Sequence, residues 1–219
     1  MQYYIESIIY LIVYLMPVLF GLRQYAVLDQ ASRFFLLYAI SSFIGELIAF
    51  FAALKFNNNF PVYNVASVIN ICLICFYFSE CIERLKRNNM ALRLTAINIV
   101  VWIISVFFIH SFFSINTTFL AYQGVLTIAL AVYAMENLVA QKSHALFHLR
   151  SSPHFWFASL LLVYWCFTIM QWVVYRYFTY KTGGFIYINL SLTIINILIN
   201  VALAAVFYVY PKLKQADDL

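Results

Sequence analysis

The sequence predicts an all-α polytopic membrane protein, a seven-transmembrane helix bundle that forms one domain over residues 1–219. Three observations carry the prediction. Hydrophobic residues make up 65% of the chain and charged ones 10%, against about 45–50% and about 25% in soluble domains, and mean hydropathy is +0.89. Residues 56–79, 94–135, 151–175 and 182–211 contain no Asp, Glu, Lys or Arg. A spanning helix needs about 20 apolar residues, so the stretch from Leu94 holds two. Finally, polar turn formers punctuate breaks between the apolar stretches.

The first helix is expected over residues 4–21, with Pro17 inside it. A kink there is tolerated because neighbouring groups can satisfy the freed carbonyl. Glu6 stands near its start, and neither a basic start nor a small-residue cleavage site is present, so it reads as a retained helix and not a signal peptide. The second helix, 34–54, stops at Asn57-Asn58-Asn59 and Pro61; the third, 62–82, stops before Asn88-Asn89. The fourth and fifth are expected over 94–109 and 118–140. Ser151-Ser152-Pro153 opens the sixth, 155–175, and Gly183-Gly184 the seventh, 185–210. Glu46 and Asn64 have the same separation in sequence as Gln171 and Asn189. That fits a parallel repeat of three helices, a linker and three more; chance coincidence is the other reading.

Net charge is +5, but the basic residues are spread between apolar segments and form no nucleic-acid patch. They orient the chain instead. With the N-terminus outside, the cytoplasmic segments hold Arg23, Arg33, Arg84, Lys86, Arg87, Arg93, Lys142, Arg150, Lys212 and Lys214, and the outer ones Lys55, Arg176 and Lys181. The C-terminus is then cytoplasmic in an inner (plasma) membrane, with a short tail after residue 210. Lipid is the expected partner of the apolar faces.

Polar residues fall at helical spacing. Ala39, Ser42, Glu46, Ala49 and Ala53 share a face of the second helix; Thr95, Asn98, Trp102 and Ser105 one of the fourth; Tyr164, Thr168, Gln171 and Tyr175 one of the sixth; Asn189, Thr193, Asn196 and Asn200 one of the seventh. Such faces point into a bundle because lipid offers no hydrogen-bond partner, and interhelical glue is the plain explanation for most of them. Glu46 stands apart as the acidic residue well inside a span. A carboxylate there is costly unless protonated, hydrated or multiply hydrogen-bonded. Tyr164, Trp165, Trp172 and Tyr175 surround Gln171, and Tyr63 precedes Asn64, so aromatics and a few polar groups converge as in small-molecule pockets. The candidate ligand site is therefore Glu46, Tyr63, Asn64, Tyr164, Thr168, Gln171, Trp172, Asn189 and Asn196, in the outer half between helices two, three, six and seven.

No cofactor and no enzymatic activity are expected. His144, His148 and His154 could bind zinc by spacing, but they fall in a cytoplasmic connection and read as solvated or headgroup histidines. Cys72 and Cys75 form a CxxC in mid-helix, where they read as small packing residues. The last span has no lysine for a retinal Schiff base, and no Walker loop, GxSxG elbow or paired membrane aspartates occur.

Residues 43–49 (Phe-Ile-Gly-Glu-Leu-Ile-Ala), Asn57-Asn58-Asn59 through Tyr63-Asn64, and Pro153-His154-Phe155-Trp156 resemble the uncharacterised seven-transmembrane proteins of Bacteroidota, some of which form the membrane domains of sensor histidine kinases. The resemblance implies roles for Glu46, Tyr63, Asn64, Pro153, Phe155 and Trp156, and no kinase follows in this chain. The expected function is a receptor-like or sensory module that binds a small ligand and acts on a cytoplasmic signalling partner through residues 83–93 and 141–150. A small-solute or proton-coupled transporter is the alternative, and a structural membrane subunit the third.

Overall fold

The computed structural model describes residues 2–141, 146–178 and 185–217, with side chains over 8–140, 149–171 and 190–217. Among the described residues the chain is all-helical. The helices are α1 (Gln2–Arg23), α2 (Gln30–Phe56), α3 (Phe60–Cys81), the short α4 (Glu83–Arg87), α5 (Met90–Ile104), α6 (Thr117–Gln141), the short α7 (Leu146–Ser151), α8 (Pro153–Phe178) and α9 (Phe185–Asp217). Segments of six of them, α2, α3, α5 with its extension, α6, α8 and α9, are long and apolar enough to cross a membrane. In α1 the described apolar portion, Ile8–Arg23, is shorter.

Local chemistry sets the ends. Asp29 caps α2 by accepting the Ser32 N–H at 2.7 Å, and Asn57 ends it in the left-handed conformation, φ 53°, which Asn tolerates better than most residues. Pro61 stands in the first turn of α3, where its missing N–H costs nothing. A single turn of π-helix, Ser105–Ile109, closes α5. Most helices run a few residues beyond their expected bounds because backbone hydrogen bonding continues past the apolar stretch, though α3 ends at Cys81, one residue short. The last one is the clearest correction: α9 does not stop at residue 210 but passes through Pro211 to Asp217, and Lys214 ties it to the Val27 carbonyl at 3.1 Å.

The helices form a ring in which α1 packs on α2, α2 on α3, α3 on α6, α6 on α8, α8 on α9 and α9 back on α1, while α5 joins mainly through α3. Ile97, Val100 and Ile104 of α5 and Phe107 of its π-turn stay exposed, as a lipid-facing surface would. Alternating helix directions gather Arg23, Arg33, Arg84, Lys86, Arg87, Arg93, Arg150, Lys212 and Lys214 at one end. We call this the basic end, and the end carrying connections 57–59 and 110–116 the opposite end.

Toward the basic end the interior is filled. Phe35 of α2, Tyr77 of α3, Phe157 of α8 and Phe207 of α9 are almost fully buried. Phe35 stacks on Phe157 with centroids 4.3 Å apart and meets Tyr77 at 5.0 Å, and Phe157 meets Phe207 at 5.1 Å. These rings form an aromatic floor. Beneath it Asp29 is a hub, its Oδ2 lying 2.8 Å from His154 Nε2 and its N–H donating to Tyr210 Oη at 3.3 Å. Ser32 Oγ donates to the same hydroxyl at 3.1 Å, and His154 Nδ1 lies 3.4 Å from Cys81 Sγ. His154 is thus no solvated histidine: its carboxylate partner comes from the far end of the sequence, and its side chain is 18% exposed.

Burial alone would push the Asp29 carboxyl up, but the His154 hydrogen bond and charge, with the Ser32 N–H, more than offset it and hold the group well below the usual carboxylate range. Its stabilising contribution is complete above the unfolded value of about 3.9 and is lost as pH falls through the native one. The Asp29 side chain is 38% exposed, which screens its pairing with His154, so Asp29→Asn should cost about 1 kcal/mol, seen as a lower melting temperature in detergent. The gap to the native protein should hold from about pH 5 to 7 and narrow below about pH 4. A gap that stays constant into acid would remove Asp29 from this role.

Candidate functional site

Between the aromatic floor and the opposite end, the ring encloses a cavity of about 470 Å³. At ~30 Å³ per molecule that is room for on the order of fifteen waters. It begins at Ala39 and Leu203, just beyond the floor, and reaches Phe60 and Ile115 at the opposite end.

Glu46 and Ser42 enter from successive turns of α2. Next to Glu46, Gly45 lets α2 close on α3: a Cβ there would stand 3.1 Å from the Ala66 Cβ. Across this approach Tyr63 Oη donates to Glu46 Oε2 at 3.0 Å. The carboxylate, which has no cationic partner among the described residues, therefore pairs with a phenol. One turn deeper, Asn70 Nδ2 donates to Ser42 Oγ at 3.2 Å. Its Oδ1 and Gln123 Oε1, both on lining residues, are buried without a partner. From α1 come Tyr10 and Tyr14, with ring centroids 4.9 Å apart, and Tyr14 Oη donates to Asn196 Oδ1 at 3.5 Å.

Six of the residues expected from the sequence line this cavity: Glu46, Tyr63, Asn64, Tyr164, Thr168 and Asn196. Asn64 also does structural work. Its Nδ2 donates to the carbonyls of Phe112 and Ser114 at 2.8 and 3.0 Å, and its own carbonyl accepts from Trp102 Nε1 at 2.7 Å, so it ties down the 110–116 connection at the rim. Thr168 returns its hydroxyl to the Tyr164 carbonyl at 2.8 Å. Gln171 is not a lining residue; it is buried and donates to Ser191 Oγ at 2.8 Å. Trp172 and Asn189, with the repeat that Asn189 helped to suggest, fall outside the described side chains, as do His144 and His148.

Sequence reasoning missed Tyr10, Tyr14, Tyr38 and Gln123. The spacing of Tyr10 and Tyr14, one turn apart, was the available signal, hidden because tyrosine near a helix end also suits the membrane interface. The polar stripe of α5 turns to its neighbours instead. Asn98 donates to Cys75 Sγ at 3.3 Å and accepts from Tyr122 at 2.8 Å, and Ser105 donates to Asn116 at 2.6 Å. Cys72 and Cys75 are unlinked. Among the described residues no group of three His, Cys, Asp or Glu is placed to hold a metal.

The chain matches no protein-family model, and neither the curated proteins nor the solved structures include a significant match to it.

If the cavity holds water, thiols placed in it should react with a polar methanethiosulfonate reagent. In a background with Cys72, Cys75, Cys81 and Cys166 replaced, Ser67→Cys and Asn196→Cys should label rapidly. Ala158→Cys, on a residue 1% exposed near the floor, should resist. Equal protection at all three positions would mean a dry interior.

Proposed function

We propose that the chain is a seven-helix membrane receptor-like module, with α1 as its first span and its N-terminus outside, that binds a small ligand in its outer half. The observation carrying this reading is the asymmetry of the interior: a polar cavity occupies the half toward the opposite end, and packed aromatic rings close the half toward the basic end. A basic end favours the cytoplasmic side. At 22 residues, α1 has a length of about 33 Å, enough for the ~30 Å hydrocarbon core.

A ligand bound to Glu46, Tyr63 and Asn196 would touch α2, α3 and α9, three of the four helices that supply the floor. Asp29, His154 and Tyr210 link α2, α8 and α9 again at the basic end, and Cys81 of α3 lies beside His154, so a change in packing above the floor can reach residues 83–93 and the surfaces offered to a cytoplasmic partner. The second reading is a small-solute or proton-coupled transporter. The floor and the Asp29–His154 pair favour it, since a thin closed layer over a polar cavity is what an outward-facing carrier would show.

In intact cells an impermeant thiol reagent should modify Asn59→Cys and leave Arg87→Cys untouched until the membrane is opened. The reverse pattern would turn the molecule over and place the cavity inside. In proteoliposomes, a fluorophore on Arg87→Cys should respond when the cavity is filled, without protein-dependent solute uptake. Uptake that scales with protein would replace the receptor by the transporter.

A further inference from the structure

We infer that the ligand of this cavity is a small organic ammonium ion, an amine protonated at neutral pH and carrying an apolar body. The inference deepens the ligand-binding reading above and rests on it. Glu46 is the one ionisable carboxylate among the described lining residues, and no Lys, Arg or His is among them. The wall is otherwise made of aromatic rings and neutral polar groups: Tyr10, Tyr14, Tyr38, Tyr63, Tyr164 and Trp165 all contribute. One of these rings already stands against the carboxylate, Tyr63 Oη donating to Glu46 Oε2 at 3.0 Å.

An ammonium entering the cavity displaces water from beside Glu46 and favours its ionised form, and the pair then attracts more strongly than it would in bulk water because the surrounding wall is less polarisable. Aromatic faces add to that attraction through their negative quadrupole, and several rings around one charge is the arrangement that recognises organic ammonium groups. The unpartnered amide oxygens of Asn70 and Gln123 add further negative potential to the wall. An anion finds no counter-charge here. A bare metal ion finds only one carboxylate to balance its charge, and it would leave most of a 470 Å³ space unfilled. A protonated amine with an aromatic or branched body uses every feature: the ammonium donates to Glu46, and the body lies against the rings and Leu160, Leu161 and Ile199.

Three probes of one shape and different charge test this: phenethylammonium, neutral 2-phenylethanol and anionic 3-phenylpropionate, each titrated calorimetrically into the full chain in nanodiscs. The cation should bind saturably, the alcohol about tenfold or more weaker, and the anion not at all. Glu46→Gln, nearly isosteric, should bring the cation down to the level of the alcohol, and Tyr164→Leu should weaken the cation more than the alcohol. Equal binding of cation and alcohol, or a preference that survives Glu46→Gln, overturns the ammonium assignment while leaving a ligand-binding cavity. Binding of no probe, whatever its charge, overturns both. Should Glu46→Gln not fold, the charge series on the native protein decides alone.

Discussion

A side chain that can hydrogen-bond, once carried into hydrocarbon, has only two recourses: another helix or water held among the helices. The interior of this bundle is sorted by that constraint. On α5 the polar face is spent on neighbours, Asn98 on Cys75 and Tyr122, Trp102 on the Asn64 carbonyl, Ser105 on Asn116. On α2 and α9 the polar residues Ser42, Glu46, Thr193, Asn196 and Asn200 line a common space, where Ser42, Glu46 and Asn196 accept from Asn70, Tyr63 and Tyr14. The cavity lies where polar faces of several helices meet, and the amide oxygens of Asn70 and Gln123 are left there without a partner.

The two halves of the ring solve their packing differently. Toward the basic end, large rings from α2, α3, α8 and α9 interlock with almost no exposure, and close packing of that kind resists partial deformation. Toward the opposite end, Gly45 and small residues such as Ala39 and Ala66 bring backbones together while the polar side chains between them leave a gap. The 110–116 connection completes the rim because Asn64 holds two of its carbonyls. Fold and site are joined at the aromatic floor, since the helices that close one half are the ones that line the other.

How much of this the sequence disclosed follows from the range of each signal. Helices announce themselves locally, through long charge-free stretches, so an all-helical chain with several apolar spans was legible. The π-turn at Ser105–Ile109 and the continuation of α9 through Pro211 were not, because tertiary contacts such as Lys214 with Val27 decide them. Glu46 drew attention by its cost in lipid, and Asn196 by its stripe. His154 was misread because its partner Asp29 lies 125 positions away, and no local pattern joins them. Tyr10 and Tyr14 were overlooked since tyrosine near a helix end has a commonplace explanation; only the closure of α1 onto α9 turns them inward.

The aromatic floor also decides where an electrical potential across the membrane would fall. Voltage drops mainly through material of low polarisability, and a solvated cavity conducts the potential of the solution it meets down to its base. With water filling the cavity, the field would be concentrated on the few layers of rings between Ala39 and Asp29 and be weak around Glu46. A charge entering the cavity does little electrical work. One that crossed Phe35, Phe157 and Phe207 would do nearly all of the ~2.3 kcal/mol that each elementary charge exchanges per 100 mV. The residues placed to feel voltage in this bundle are therefore those of the floor and the Asp29–His154 pair beneath it, and the carboxylate in the cavity is largely sheltered from it.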